Sequence, residues 1–116
     1  MSFTSFNLHP QIAAGVQALG YSVPTPIQLK AIPPVLRGQD VMGVAQTGTG
    51  KTAAFVLPIL ERLIKRPPGR TRALVIAPTR ELAEQINTHI ADLGRQTHLR
   101  SATIYGGVAM SPQVQK

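Results

Sequence analysis

The sequence predicts an α/β domain in which helices cover a parallel sheet. Three short apolar runs, at 41–45, 73–77 and 99–105, have the length and composition of buried parallel strands. The first two runs are each followed by a longer segment with apolar residues at helical spacing, and a glycine-rich loop at 45–52 leads from the first run into its helix. Alternating strands and helices form parallel sheets with right-handed crossovers.

Two helices are predicted ahead of the first strand. Residues 10–19 begin with Pro and carry apolar side chains at helical spacing, and Gly20 ends the segment. The second helix has Thr25 as its N-cap, a Pro at its first position, and Gln28 to complete a capping box. It should extend to about Leu36, with a kink or shortening at the two prolines near its end.

Two further helices are predicted after the strands. One begins at Lys51 and extends to about Lys65, with a bend at Pro58. The other begins at Arg80 and is stopped by Gly94. The predicted core residues of the two helices are Ala54, Phe55, Leu57, Ile59, Leu60, Leu63, Ile64, Leu82, Ala83, Ile86, Ile90 and Leu93.

The loop at 45–52, Ala-Gln-Thr-Gly-Thr-Gly-Lys-Thr, has the pattern of a phosphate-binding P-loop. Gly48 and Gly50 allow backbone angles and a close approach to ligand that a Cβ would forbid. Lys51, the predicted catalytic residue, would contact the β- and γ-phosphates, and Thr52 would ligate Mg²⁺. The structural alternatives are a glycine-rich turn without ligand and, for Thr52, a hydroxyl bonded to backbone. The predicted nucleotide-binding residues of the loop are Ala45, Gln46, Thr47, Gly48, Thr49, Gly50, Lys51 and Thr52.

The charge balance of the 116-residue chain is basic. Its net charge of +7 comes from 12 Lys and Arg against 5 Asp and Glu. This favours polyanionic partners such as nucleic acid, although acidic residues in another part of the same domain would explain it equally well. The densest cluster is Arg62, Lys65, Arg66, Arg70 and Arg72, for which a solvated helix end and turn is the preferred interpretation.

Several classes of protein are disfavoured by the composition. The chain has no Cys, which excludes a disulfide framework and thiolate metal sites. Its first residues lack the pattern of a secretory signal, and no apolar stretch is long enough to span a bilayer. We therefore expect a cytoplasmic protein. His9, His89 and His98 lack metal-ligand spacing and are interpreted as surface or local structure.

The sequence on both sides of the loop resembles the conserved motifs of DEAD-box RNA helicases. Residues 20–28, Gly-Tyr-Ser-Val-Pro-Thr-Pro-Ile-Gln, are similar to the Q motif of that family. The loop at 45–52 is similar to the family's P-loop, in which Ala at the first position is usual, and Pro-Thr-Arg-Glu-Leu-Ala at 78–83 is similar to its next conserved block. Phe3 matches the family's isolated upstream aromatic, and 106–107 matches its paired glycines.

This resemblance covers the whole chain in order and spacing, and bacterial members are the most similar in character. It implies an incomplete α/β, parallel-sheet P-loop NTPase domain of the RecA-like type. Residues 1–38 would form a helical segment with the aromatic and the Q motif, and residues 39–116 the first part of the ATP-binding domain. The implied function is that of the N-terminal part of an ATP-dependent RNA helicase, which binds ATP, Mg²⁺ and RNA and couples ATP hydrolysis to RNA unwinding.

The resemblance also implies a site for the adenine base. Gln28 would hydrogen-bond the adenine edge, since an amide donates and accepts at once, and Phe3 would stack on the base with Tyr21 nearby. The alternative for Gln28 is that it only closes the capping box on Thr25, although both roles can hold. Ordinary packing is the alternative for Phe3 and Tyr21, and Phe6 is expected in the core.

A groove for single-stranded RNA is implied next to the nucleotide site. Contacts there would reach phosphate and sugar, which makes binding independent of RNA sequence. Arg80 is the best candidate for a phosphate contact, and its alternative is a pair with Glu84 at i,i+4. Thr79 has the alternative role of a helix N-cap. The implied groove residues are Pro78, Thr79, Arg80, Gly106 and Gly107.

The sequence departs from the family pattern in one respect, because no Asp-Glu-Ala-Asp box occurs. That box supplies the carboxylates that hold Mg²⁺ through water and orient the attacking water, so we expect weak ATP binding and no turnover by these residues alone. The resemblance implies that strands from later sequence flank the first strand, which would leave it poorly paired. Ser-Ala-Thr at 101–103 lies in a predicted strand and is assigned no function.

Two other functions are alternatives to that of a helicase. The chain could be a non-catalytic nucleotide- or RNA-binding module, or another P-loop NTPase such as a kinase. The combination of Phe3 and Gln28 argues against the second of these, because it implies selection for adenine.

Overall fold

The computed structural model describes residues 2–44, 50–67 and 69–104, and within them the chain folds into helices. All four predicted α-helices are confirmed, and their ends lie within one turn of the predicted positions. A 3₁₀ turn at Phe3–Phe6 precedes α1 at Pro10–Ala18, α2 at Pro26–Leu36, α3 at Lys51–Leu63 and α4 at Arg80–Leu93.

The second helix continues through both of its prolines. Proline removes a backbone donor, so a helix usually ends or kinks there. In α2 the two prolines lie in the last turn, and their carbonyls are used: the Arg37 N–H donates to the Pro33 oxygen at 3.2 Å and the Gln39 N–H to the Pro34 oxygen at 3.0 Å. The prolines therefore shorten α2 no further than the predicted end at Leu36.

The hydrophobic core lies where the helices converge. Ile12 of α1, Ile32 of α2 and Leu93 of α4 are completely buried against α3 and its neighbours. The absence of a side chain at Gly15 permits close packing of α1 on α4, because a Cβ there would overlap the Leu93 carbonyl oxygen. The buried apolar residues of the core cluster are Phe3, Phe6, Ile12, Val16, Ile32, Ala53, Val56, Leu57, Leu60 and Leu93.

The predicted core is confirmed in part: the buried members are Ala54, Leu57, Leu60, Ile86 and Leu93, and the half-buried members are Phe55, Ile59, Leu63, Ile64, Ala83 and Ile90. Val56 and Pro58 are buried although neither was predicted, since α3 is covered on more than one face. Leu82 was predicted in the core and is exposed, because only the later part of α4, from Ile86 to Leu93, reaches the core.

The prediction of three strands is wrong for the described residues. Residues 41–44, 73–77 and 99–104 form neither helix nor β-ladder. Their apolar side chains are mostly exposed, with Met42 91% and Ile76 85% accessible. A strand obtains its backbone hydrogen bonds from a neighbouring strand, and none of these segments pairs with another. This agrees with the expectation of a poorly paired first strand, while Ala45 and Tyr105 lie outside the described residues.

No helix in the described part of the chain is long and apolar enough to cross a bilayer.

The burial pattern predicts the stability of two matched variants. Leu57 is fully buried in α3 and Leu74 is 83% exposed, so Leu57→Ala should lower the free energy of unfolding by roughly 2–5 kcal/mol and Leu74→Ala by less than about 0.5 kcal/mol. Urea unfolding followed by far-ultraviolet circular dichroism measures both. Equal losses for the two variants would contradict the helical core described above.

Candidate functional site

The start of α3 is the described part of the predicted phosphate loop. Residues 45–49 lie outside the described residues, whereas Gly50, Lys51 and Thr52 are described. Gly50 is the N-cap of α3, with φ +86°, and its carbonyl accepts from the Ala54 N–H at 3.1 Å. Lys51 is exposed and Thr52 is half-buried, so an ammonium and a hydroxyl lie at the positive end of the helix dipole.

Gln28 connects the start of α2 to the start of α3. Its side chain is only 3% exposed. The Oε1 atom accepts from the Thr25 backbone N–H at 2.9 Å, which confirms the predicted capping role. The Nε2 atom donates to the Gly50 carbonyl oxygen at 3.2 Å, a contact the sequence did not predict. One N–H and one acceptor position of the carboxamide remain for a further partner.

Gly50 lies directly against this connection. A Cβ at Gly50 would be 2.5 Å from Gln28 Nε2 and 3.0 Å from Thr25 Oγ1, so the close approach requires glycine, as does the positive φ. The Thr25 hydroxyl faces the backbone of the first turn of α2, but its buried oxygen closes no hydrogen bond of standard geometry among the described residues.

The aromatic residues of the N-terminal segment pack together. The Phe3 ring lies edge-on to Phe6, with centroids 5.7 Å apart, and is 5.9 Å from the Tyr21 ring. The Phe3 N–H donates to the Ser22 carbonyl at 3.3 Å, which attaches the 3₁₀ turn to the Q-motif-like segment. Phe3 is 7% exposed, as expected for a core residue. The core position of Phe6 is confirmed, and adenine stacking by Phe3 stays a prediction.

The predicted RNA groove lies at the start of α4. The Thr79 Oγ1 atom accepts from the Leu82 N–H at 3.1 Å, which confirms its role as an N-cap. An open groove of about 450 Å³ lies beside it, with Pro78 and Arg80 in its lining and Ile76 and Ile104 as apolar walls. Gly106 and Gly107, which were predicted to line the same groove, lie outside the described residues.

The segment at 101–103 has a structural contact that sequence patterns did not reveal. The Thr103 hydroxyl donates to Glu84 Oε1 at 2.6 Å, and the Ser101 hydroxyl donates to Asn87 Oδ1 at 2.5 Å. Glu84 and Asn87 are three residues apart and share one face of α4, so alternate residues of the segment follow that face. The Ser-Ala-Thr tripeptide thus attaches the segment to α4.

The site thus combines a capped helix, a buried Gln that joins it to a Gly-Lys-Thr helix start, and an N-capped helix at an open groove. The model of the DEAD/DEAH box helicase family matches residues 25–116, and the chain belongs to this family.

Individual relatives also belong to the helicases. The ATP-dependent RNA helicase SrmB of Haemophilus influenzae is 50% identical over 110 residues, which are 92% of this chain and 25% of that protein. The ATP-dependent RNA helicase DBP10 of Candida albicans is 46% identical over 115 residues, 99% of this chain and 13% of that protein. The chain therefore spans at most a quarter of the length of these curated relatives.

Solved structures agree on the fold. A DEAD box protein from Methanococcus jannaschii matches with a TM-score of 0.90 and 37% identity, over 99% of this chain and 31% of that one. The RNA helicase Prp28 from Chaetomium thermophilum, solved with ADP, matches with a TM-score of 0.88 and 36% identity, over 97% of this chain and 28% of that one. The fold is thus the α/β RecA-like domain in incomplete form.

The geometry at Gly50 predicts a difference between two glycine substitutions. Gly38 has a similar φ of +85° but open space around it, so Gly38→Ala should cost only the left-handed conformation, about 1–2 kcal/mol. Gly50→Ala should cost a further ~1–3 kcal/mol, because the added methyl group displaces the buried Gln28 amide. Urea unfolding measures both, and equal losses would contradict the contact between Gly50 and Gln28.

Proposed function

We propose that this chain works as part of an ATP-dependent RNA helicase, in which it supplies a nucleotide site and one side of an RNA groove. The observation that carries the proposal is the hydrogen bond from Gln28 Nε2 to the Gly50 carbonyl. It brings a side chain suited to an adenine edge to the start of the helix that would hold the phosphates. Relatives named as ATP-dependent RNA helicases support the same function.

Each proposed ligand has residues of matching chemistry. Gln28 has one donor and one acceptor position left for an adenine edge. Lys51 would contact the phosphates as a point charge. Thr52 would hold Mg²⁺ through its hydroxyl, and the cation would supply charge neutralisation on the phosphates. Phe3 and Tyr21 would lie on the side of the base.

Within the proposed helicase, nucleotide binding and ATP hydrolysis would depend on different residues. We propose that the residues of this chain bind and orient the nucleotide, because no Asp-Glu-Ala-Asp box lies within the chain to position an attacking water. Turnover would then depend on carboxylates outside these residues. A cytoplasmic location is part of the proposal.

The nucleotide site is tested with Gln28→Glu, an isosteric change. Glutamate cannot donate to the Gly50 carbonyl or to an adenine nitrogen, so ADP affinity should fall at least about tenfold, the effect of ~1.4 kcal/mol. Preference for ADP over GDP should disappear. Affinity for magnesium tripolyphosphate, which has no base, should also fall, because the Gly50 carbonyl loses the hydrogen bond from Gln28. Isothermal titration calorimetry measures all three ligands.

The matched control is Gln17→Glu, the same change on an exposed face of α1. It should leave all three affinities as they are. If the unsubstituted chain binds ADP and GDP equally and Gln28→Glu changes neither, the proposed adenine site is wrong and another P-loop NTPase is favoured. If Gln28→Glu weakens ADP binding but leaves tripolyphosphate binding unchanged, Gln28 contacts the base without positioning the phosphate-binding loop.

The RNA groove is tested with Arg80→Ala. Loss of one phosphate contact should weaken binding equally for oligo(U) and oligo(A), and should reduce the salt slope of log affinity by about 0.7. Fluorescence anisotropy over a potassium chloride series measures both quantities. Arg95→Ala is the control of equal charge, because Arg95 pairs with Asp92 at the far end of α4. Equal effects of the two variants would refute a specific groove contact.

A further inference from the structure

Five exposed cations form a cluster that the proposed function does not use. We call this cluster the basic turn: it consists of Arg62, Lys65, Arg66, Arg70 and Arg72. No acidic residue occurs in the sequence between Glu61 and Glu81, so positive charge in this stretch is not balanced by a chain neighbour.

The side chains of the basic turn have no partners in the described part of the chain. No ion pair or side-chain hydrogen bond joins any of them to another described residue. The adjacent carboxylate, Glu61, uses its Oε1 atom to accept from the His9 backbone N–H at 2.7 Å, which anchors the start of α1 to α3. Five positive charges within residues 62–72, with no acidic residue among them, raise the local positive potential, which favours an external anion.

The helix dipole accounts for only part of the basic turn. Arg62 lies in the last turn of α3, where a cation is favoured by the carbonyl end of the helix. Arg70 and Arg72 come after Gly69, which has φ +103° and lies beyond the end of the helix. The dipole effect falls off within the last turn, so it does not act on these two arginines.

The position of the basic turn separates it from both proposed sites. It lies at the opposite end of α3 from Lys51, and the 13 residues of that helix span roughly 20 Å at 1.5 Å per residue. None of its five residues lines the groove at Pro78 and Arg80, although the segment that follows Arg72 lines it from Leu74 onward. The basic turn therefore serves neither the phosphates of a nucleotide at Lys51 nor the groove at Arg80.

We propose that the basic turn is a second RNA-binding surface, which contacts the phosphate backbone of RNA outside the groove. Four of its five cations are arginines, whose planar fork matches phosphate oxygens in two parallel hydrogen bonds. The choice of RNA as the polyanion rests on the proposed helicase function. Contacts of this kind position a nucleic acid and carry no sequence preference.

The test compares two triple variants that remove the same charge. Arg66→Gln/Arg70→Gln/Arg72→Gln neutralises the basic turn, and Lys30→Gln/Arg37→Gln/Arg95→Gln neutralises exposed cations elsewhere. Binding of a fluorescent 20-nucleotide single-stranded RNA is measured by anisotropy over a salt series. The basic-turn variant should lose about tenfold or more in affinity, and its salt slope should fall by about 2, as three phosphate contacts at ~0.7 each predict. The control variant should lose less than about twofold.

Three results would overturn the proposal. Equal losses in the two triple variants would show that only net charge matters. If the basic-turn variant binds RNA normally and Arg80→Ala binds it more weakly, RNA contacts the groove and not the basic turn. If the basic-turn variant binds RNA more weakly and Arg80→Ala binds it normally, the proposed second surface stands and the groove contact is wrong. Loss of binding to vesicles containing phosphatidylserine in the basic-turn variant, with RNA binding unchanged, would assign the surface to a membrane instead of RNA. Circular dichroism melts confirm beforehand that both variants are folded.

Discussion

The hydrogen bonds of the Gln28 carboxamide are the constraint on which the rest of the site depends. Because this side chain is buried, both of its polar atoms need partners, and an unsatisfied buried amide costs free energy. The partners are the start of its own helix and the start of the helix that carries Lys51. The relative position of α2 and α3 is thus fixed by this polar contact together with an apolar core that contains Ile32 and Leu57.

One consequence is that two functions of the site share one side chain. In the proposed function, Gln28 contacts the base through the donor and acceptor that remain to it. The same amide touches Gly50, whose lack of a side chain allows the approach. A change at the Gln28 amide therefore acts on Gly50, the N-cap of α3, without any intermediate side chain. In the proposed function, this geometry would couple base selection to phosphate binding.

The sequence was sufficient for features that are decided locally. Helix ends were predicted because capping depends on neighbours in the chain, as at Thr25 with Gln28 and at Thr79. The three predicted strands are absent from the described residues, since a ladder needs a partner from elsewhere, and 73–77 has none among the described residues. The contact from Gln28 to Gly50 joins residues 22 positions apart, which no local pattern encodes. Phe3 matched a motif, but only the packing on Phe6 and Tyr21 shows how it is held.

The cations on both sides of the exposed apolar segment 73–77 affect its tendency to pair with other chains. Exposed apolar segments with free backbone groups are templates for pairing with other chains. Arg70 and Arg72 precede this segment, while Pro78, which lacks a backbone donor, and Arg80 follow it. Flanking charge and proline are the features that oppose edge-to-edge pairing, and the net charge of +7 adds repulsion between copies. Charge repulsion from Arg70 and Arg72 would therefore oppose pairing between copies whether or not RNA is bound.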